Sequence, residues 1–115
     1  MSDVDFVKKC CDYADGFEWI VDQDGDTYIK ETITDIKMFV DSECFYDFDM
    51  YPVLYPLLLQ RAIEGIEDEK GLQFSLYRYE GKYTWKWGNI GNTNNMTRQD
   101  AKRSALEYIF KQEAK

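Results

Sequence analysis

The clearest pattern of hydrophobic and polar positions lies in residues 72–88, where Glu80-Gly81 forms a predicted two-residue turn. If Tyr79 faces Lys82 across this turn, alternate residues share one face of a hairpin. A slip of one residue would exchange the two faces, so the pattern selects this register. The predicted buried face holds Leu72, Phe74, Leu76, Arg78, Tyr83, Trp85 and Trp87, and the predicted exposed face holds Gln73, Ser75, Tyr77, Tyr79, Lys82, Thr84 and Lys86.

Apolar residues at helical spacing predict three helices. The first covers residues 3–15 and starts with Ser2 followed by Asp5, a spacing typical of helix N-termini. Thr97 and Asp100 repeat that spacing before the last helix. The predicted second helix follows Pro52 and Pro56 and ends at Gly71.

Alternating residues predict further strands before the second helix. Asp24-Gly25 is a pair favoured in two-residue hairpin turns, and β-branched and aromatic residues flank it. Ile36, Met38 and Val40 predict another strand, whereas the polar residues 89–95 predict a loop. We therefore expect one α+β domain over residues 1–115, in the order α-β-β-(β)-α-β-β-α. Its small antiparallel sheet has four to five strands, with helices packed on one face.

Charge divides the 115-residue chain into two unequal parts. Residues 1–70 carry 18 acidic and 6 basic side chains, whereas residues 71–115 carry 4 acidic and 8 basic ones. Such asymmetry is informative about partners, because an acidic surface attracts the basic clefts of proteins that handle nucleic acids. Ordinary solubilising charge is the alternative. The predicted acidic partner-binding residues are Asp22, Asp24, Asp26, Asp35, Asp41, Glu43, Asp47 and Asp49.

The basic C-terminal part suggests an alternative function in RNA binding. A hairpin followed by an alanine-rich basic helix is similar to the second half of a double-stranded RNA-binding domain, although Asp100 opposes phosphate binding at the helix start. Tyrosine next to a cation suits both protein and nucleic-acid interfaces. The residues predicted for this surface are Tyr77, Tyr79, Lys82, Lys86, Arg98, Lys102 and Arg103.

The sequence lacks the residues that common catalytic nucleophiles and EF-hand calcium sites require. The chain has no histidine, so it has no Ser-His or Cys-His nucleophile. Asp22, Asp24 and Asp26 suggest calcium, but an EF-hand loop starting at Asp22 needs glycine where Thr27 stands and glutamate where Ile33 stands. We therefore predict no catalytic residue, no metal and no cofactor.

The cysteines and the N-terminus suggest a cytosolic location. Cys10 and Cys11 are adjacent and Cys44 is distant, which is a poor disulfide framework, so we expect reduced thiols, with at least one of the pair packed in the first helix. The N-terminus is acidic, unlike a signal peptide, and no long apolar run predicts a membrane helix.

Two segments carry a resemblance to known proteins: residues 55–65, YPLLLQRAIEG, and residues 99–110, QDAKRSALEYIF. They resemble small proteins encoded by phages and mobile elements of Bacteroidetes-type bacteria. Acidic phage proteins of this size often inhibit host defence, as anti-CRISPR proteins do. The resemblance thus implies an inhibitor of a host nucleic-acid-binding protein, such as an RNA-targeting CRISPR nuclease with its guide RNA. It supplies no site residues.

Overall fold

The computed structural model describes residues 2–40, 51–95 and 97–114. The α+β class is confirmed, with three helices and six strands in the described residues. In chain order the elements are α1 (Asp3–Tyr13), β1 (Phe17–Val21), β2 (Thr27–Glu31), β3 (Lys37–Val40), α2 (Tyr51–Lys70), β4 (Phe74–Tyr79), β5 (Lys82–Trp87), β6 (Ile90–Asn95) and α3 (Arg98–Glu113).

The strands form two sheets, so the prediction of one sheet with four to five strands is wrong. The orders are β1-β2-β3 and β4-β5-β6, and all neighbours are antiparallel. Strand β6 replaces the loop predicted for residues 89–95. Its polar sequence lacks the alternation of a half-buried strand, but its backbone pairs with β5. Gly91 permits this pairing, because a Cβ atom there would lie 2.4 Å from the Trp85 carbonyl oxygen.

The predicted register of the second hairpin is confirmed. Tyr79 pairs with Lys82, and Glu80 and Gly81 have φ angles of 51° and 77°, as this type of two-residue turn requires. Two positions depart from the predicted faces. Arg78 is exposed, and Thr84 is buried next to an irregularity in the pairing of β5 with β6.

The helix starts also follow the predicted signals. The backbone N–H of Asp5 donates to Ser2 Oγ, and that of Asp100 donates to Thr97 Oγ1, at 3.1 and 3.0 Å. Helix α1 ends two residues earlier than predicted. Helix α2 begins at Tyr51, before both prolines rather than after them. Pro52 lies in its first turn, where proline removes no helical hydrogen bond, whereas Pro56 lies inside the helix.

One hydrophobic core joins the helices to both sheets. Strand β1 contacts α1, β3 contacts α2, and β5 and β6 contact α3. The indole N–H of Trp85 donates to Ser104 Oγ, and that of Trp87 to the Ala105 carbonyl, each at 3.0 Å. These bonds fix the buried face of the second sheet against α3. The largest fully buried apolar side chains are Phe6, Phe110, Ile29, Met38, Leu54, Leu58, Leu59, Ile63, Ile66 and Leu106.

Helices α1 and α2 approach most closely at Gly65. A Cβ atom on this residue would lie 2.0 Å from the carbonyl oxygen of Tyr13, the last residue of α1. Real Cβ atoms do not approach a backbone atom so closely. The absence of a side chain at position 65 therefore sets the distance between the two helices.

We expect Gly65→Ala to destabilise the protein. Alanine is favoured over glycine inside a helix by about 1 kcal/mol. Overpacking typically costs about 1–3 kcal/mol, and the atom displaced here is backbone, which cannot rotate away. Urea denaturation should show the net loss, and the exposed replacement Glu69→Ala on the same helix should stay within about 0.5 kcal/mol of the parent. Equal stability of the two variants would contradict the close contact.

Candidate binding surfaces

The three aspartates of the first hairpin form a compact acidic loop. Val21 pairs with Thr27, so the connection contains five residues, 22–26, rather than the predicted two. Asp22 Oδ1 accepts hydrogen bonds from the backbone N–H of Asp24 and Asp26, at 2.9 and 3.0 Å. The Asp22 side chain closes this longer turn together with two backbone hydrogen bonds, from Asp22 N–H to the Asp26 carbonyl and from Gly25 N–H to the Asp22 carbonyl. We call residues 22–26 the acidic loop.

The carboxylates of the acidic loop differ in what they can offer a partner. One oxygen from each of its three aspartates lies within 4.8 Å of the others, an arrangement that exposed acidic groups commonly adopt without binding a metal. Asp22 is half-buried and already used by the backbone, whereas Asp24 and Asp26 are exposed. Asp24 and Asp26 are thus the two carboxylates of this loop that a partner can contact freely.

The other predicted acidic residues do not join this loop. Asp35, which has a φ angle of 63°, pairs with Lys30 at 2.8 Å, and the hydrogen bond from Lys30 lowers the pKa of Asp35. Its charge is therefore largely offset. Asp41, Glu43, Asp47 and Asp49 lie outside the described residues.

The outer side of the second sheet presents tyrosines together with lysines. Tyr77 and Tyr79 are 43% and 59% exposed, although both carry large aromatic rings. Lys82 pairs with Tyr79 across the hairpin, and Lys86 Nζ lies 5.8 Å from the centre of the Tyr77 ring. Helix α3 packs on the opposite side, against Trp85 and Trp87. We call Tyr77, Tyr79, Lys82 and Lys86 the tyrosine-lysine face.

The three basic residues predicted on the last helix have different surroundings. Arg103 donates to Glu107, Asp3 and Tyr55, which joins α3 to α1 and α2. Lys102 Nζ donates to Gln60 Oε1 at 3.0 Å, and burial lowers its pKa. Arg98 instead is exposed at the start of α3. The geometry therefore gives Arg103 a structural role and leaves Arg98 for binding.

Sequence reasoning assigned Arg78 to the buried face and missed its position on the surface. Its guanidinium carbon lies 5.9 Å from the centre of the Tyr83 ring, and that of Arg98 lies 5.8 Å from the same ring. The one available signal was a lone arginine among apolar residues, directly opposite Tyr83 in the predicted register.

The buried carboxylate of Glu31 was also missed, and it is a candidate for acid-base chemistry. Only 1% of Glu31 is exposed. The backbone N–H and the hydroxyl of Thr34 donate to Oε2 at 2.6 and 2.7 Å, and Arg61 Nη1 donates to Oε1 at 3.0 Å. The bonds from Thr34 first, and then those from Arg61, lower the Glu31 pKa to about 2. Such a weak base suits a structural ion pair better than proton transfer.

The thiols of α1 are poor nucleophiles because they are scarcely ionised at neutral pH. Cys10 is fully buried, which confirms the predicted packing, and burial raises its pKa well above the ordinary value. Burial, followed by the charge of Asp12, raises the pKa of Cys11 to about 12. Cys44 lies outside the described residues.

Comparison with family models, with curated proteins and with solved structures finds no match to this chain. Within the described part of the chain, no helix combines the length and apolar content needed to cross a membrane. The case for a function therefore rests on the two surfaces themselves.

Acid should weaken the contribution of Glu31 to stability. Its pKa is about 2 in the folded protein, below the ordinary 4.5, so the unfolded chain takes up the proton first as the pH falls. The stabilisation is fully present above about pH 4.5 and is lost on approaching pH 2. We expect Glu31→Gln to be less stable than the parent at neutral pH. The difference in the free energy of unfolding between the two proteins should become smaller toward pH 2.

Urea denaturation over this pH range measures that difference. The matched control is Glu18→Gln, which changes an exposed carboxylate of the same sheet and should leave stability nearly unchanged. A difference for Glu31→Gln that stays constant with pH would contradict the proposed ion pair.

Proposed function

We propose that this protein acts by binding a host protein that handles nucleic acids, such as a CRISPR nuclease with its guide RNA, and thereby inhibits host defence. In this proposal the protein is phage-derived, is not an enzyme, and works in the bacterial cytoplasm. The acidic loop enters a basic cleft that otherwise holds the phosphate backbone.

The observation that carries this proposal is the concentration of uncompensated negative charge in the acidic loop. Asp24 and Asp26 are exposed at a hairpin end, and no basic side chain in the described residues lies within ion-pair distance of either. By contrast, Asp3, Glu31 and Asp35 are paired within the fold. Concentrated, unpaired charge gives a strong local field, which accelerates association with a surface of opposite sign.

The non-enzymatic part of the proposal is supported by the state of the reactive groups. Glu31 is held as a weak base by Thr34 and Arg61, and burial keeps Cys10 and Cys11 protonated. Neither kind of group is poised near neutral pH, where acid-base and nucleophilic catalysts work best.

Charge reversal at Asp24 and Asp26 tests the acidic loop. We expect the double variant Asp24→Lys, Asp26→Lys to bind the nuclease at least about tenfold more slowly at low salt, because electrostatic attraction becomes repulsion. Asp22 is left unchanged because it closes the loop. Pull-down against candidate nucleases identifies the partner, and surface plasmon resonance then measures the association rate.

The control for this experiment changes the net charge equally at another site. Asp68 and Glu69 are exposed near the end of α2, and the variant Asp68→Lys, Glu69→Lys should keep the parent's association rate to within a few-fold. Equal slowing by both double variants would mean that only net charge matters. Failure of the parent to bind any candidate nuclease, even at low salt, would refute the proposal.

A second candidate function is RNA binding, and the tyrosine-lysine face favours it. Exposed aromatic rings next to lysines match the surfaces that bind single strands, where bases stack on the rings and cations contact the phosphates. Tyr77 and Tyr79 alternate along one strand with their side chains on the same side of the sheet. In this function two successive bases of a single strand stack on the rings of Tyr77 and Tyr79.

Removal of the two rings tests this second function. Base stacking contributes about 1–3 kcal/mol per base, so we expect Tyr77→Ala and Tyr79→Ala each to weaken binding to a short oligouridylate by about fivefold or more. Phe39→Ala removes a similarly exposed ring, 51% exposed, from the other sheet and should have no effect. A gel shift with no retention of RNA at low salt would reject RNA binding.

A further inference from the structure

The arginines fall into two groups according to their partners. The chain has four, of which Arg61 pairs with Glu31 and Arg103 pairs with Asp3 and Glu107. In the described residues, no carboxylate lies within 4.0 Å of the guanidinium nitrogens of Arg78 or Arg98. The two arginines without a carboxylate partner are also the two that lie over Tyr83.

These two arginines come from different elements and line the same surface cavity. Arg78 is near the end of β4, and Arg98 is the first residue of α3. The cavity has a volume of about 120 Å³, and its described lining consists of Leu76, Tyr77, Arg78, Tyr83 and Arg98. Both charged side chains of this described lining are cationic, which favours an anionic ligand.

The chemistry and size of the cavity favour a phosphate group. Guanidinium groups bind phosphate oxygens through paired N–H donors, and the start of a helix, here the 16-residue α3, adds positive potential. Asp100 in the first turn of α3 reduces this potential without pairing with either arginine. A cavity of about 120 Å³ has room for a phosphate group.

We propose that Arg78, Tyr83 and Arg98 form a binding site for the phosphate group of a nucleotide. The guanidinium carbons of Arg78 and Arg98 lie 5.9 and 5.8 Å from the centre of the Tyr83 ring, within the range of cation-π contact. Tyr77 also lines the cavity, although its ring belongs to the tyrosine-lysine face on the outer side of the sheet. Where the bound phosphate belongs to RNA, this proposal rests on the second function proposed above.

Nuclear magnetic resonance of the arginine side chains tests the site directly, because each of the four arginines has its own Nε–H signal. Inorganic phosphate and adenosine monophosphate are added at constant ionic strength, with chloride as the comparison anion. We expect phosphate to shift the signals of Arg78 and Arg98 and to leave those of Arg61 and Arg103 unchanged. Equal behaviour of phosphate and chloride, or shifts of all four signals together, would overturn the proposal.

Substitutions separate a specific site from general attraction. Arg78→Gln and Arg98→Gln each remove one charge-assisted contact and should weaken binding of adenosine monophosphate by about tenfold or more. Lys111→Gln removes the same charge from the exposed far end of α3 and should leave affinity unchanged. If the glutamine variants do not fold, Arg78→Lys and Arg98→Lys provide a second test, because they keep the positive charge. These lysine variants should still bind adenosine monophosphate more weakly than the parent, because lysine lacks the paired N–H donors of arginine. Equal weakening by Lys111→Gln would refute the site.

A short oligouridylate distinguishes the two sources of phosphate. If the ligand is RNA, the oligomer binds more tightly than adenosine monophosphate, and Arg98→Gln weakens both. If the oligomer binds no more tightly than adenosine monophosphate, the site binds a small phosphate compound. That result would refute the RNA-binding function but not the phosphate site. Absence of any phosphate-specific shift at Arg78 and Arg98 overturns the site even if RNA binds elsewhere on the protein.

Discussion

Both sheets depend on the three helices to cover their apolar faces. A sheet of three short strands has little independent stability unless one face is buried, and here each sheet lies against a different part of the same helical layer. Gly65 brings α1 close to α2, and Arg103 joins α3 to both of them. Loss of this layer would expose Ile29 and Met38 from the first sheet together with Trp85 and Trp87 from the second.

This arrangement also determines which surfaces remain available for binding. Because α3 covers the tryptophan side of the second sheet, Tyr77 and Tyr79 stay exposed on the other side. The same packing puts the first residue of α3, Arg98, next to Tyr83 of β5. The proposed phosphate site thus arises where a helix start meets a sheet edge, and neither element contains it alone.

Charged residues of the same type have different roles according to their position. Arg61 and Arg103 form ion pairs with carboxylates within the fold, whereas Arg78 and Arg98 lie at the surface. Asp22 closes a loop while its neighbours Asp24 and Asp26 remain exposed. Net charge alone therefore says little about binding, because paired charges contribute little to the field around the protein.

The sequence by itself determined the features that depend on local chemistry. The turn at Glu80-Gly81 specified the register of the second hairpin, because only this register separates the apolar from the polar residues. Ser2 and Thr97 marked helix starts, because each side chain accepts a hydrogen bond from the backbone N–H three residues later. Only the tertiary structure decided that the strands divide into two sheets, that β6 exists, and that Arg103 turns inward while Arg78 stays outside. These outcomes depend on partners far apart along the chain. A polar edge strand leaves no alternating pattern, and the pairing of an arginine depends on which carboxylate the fold brings within range.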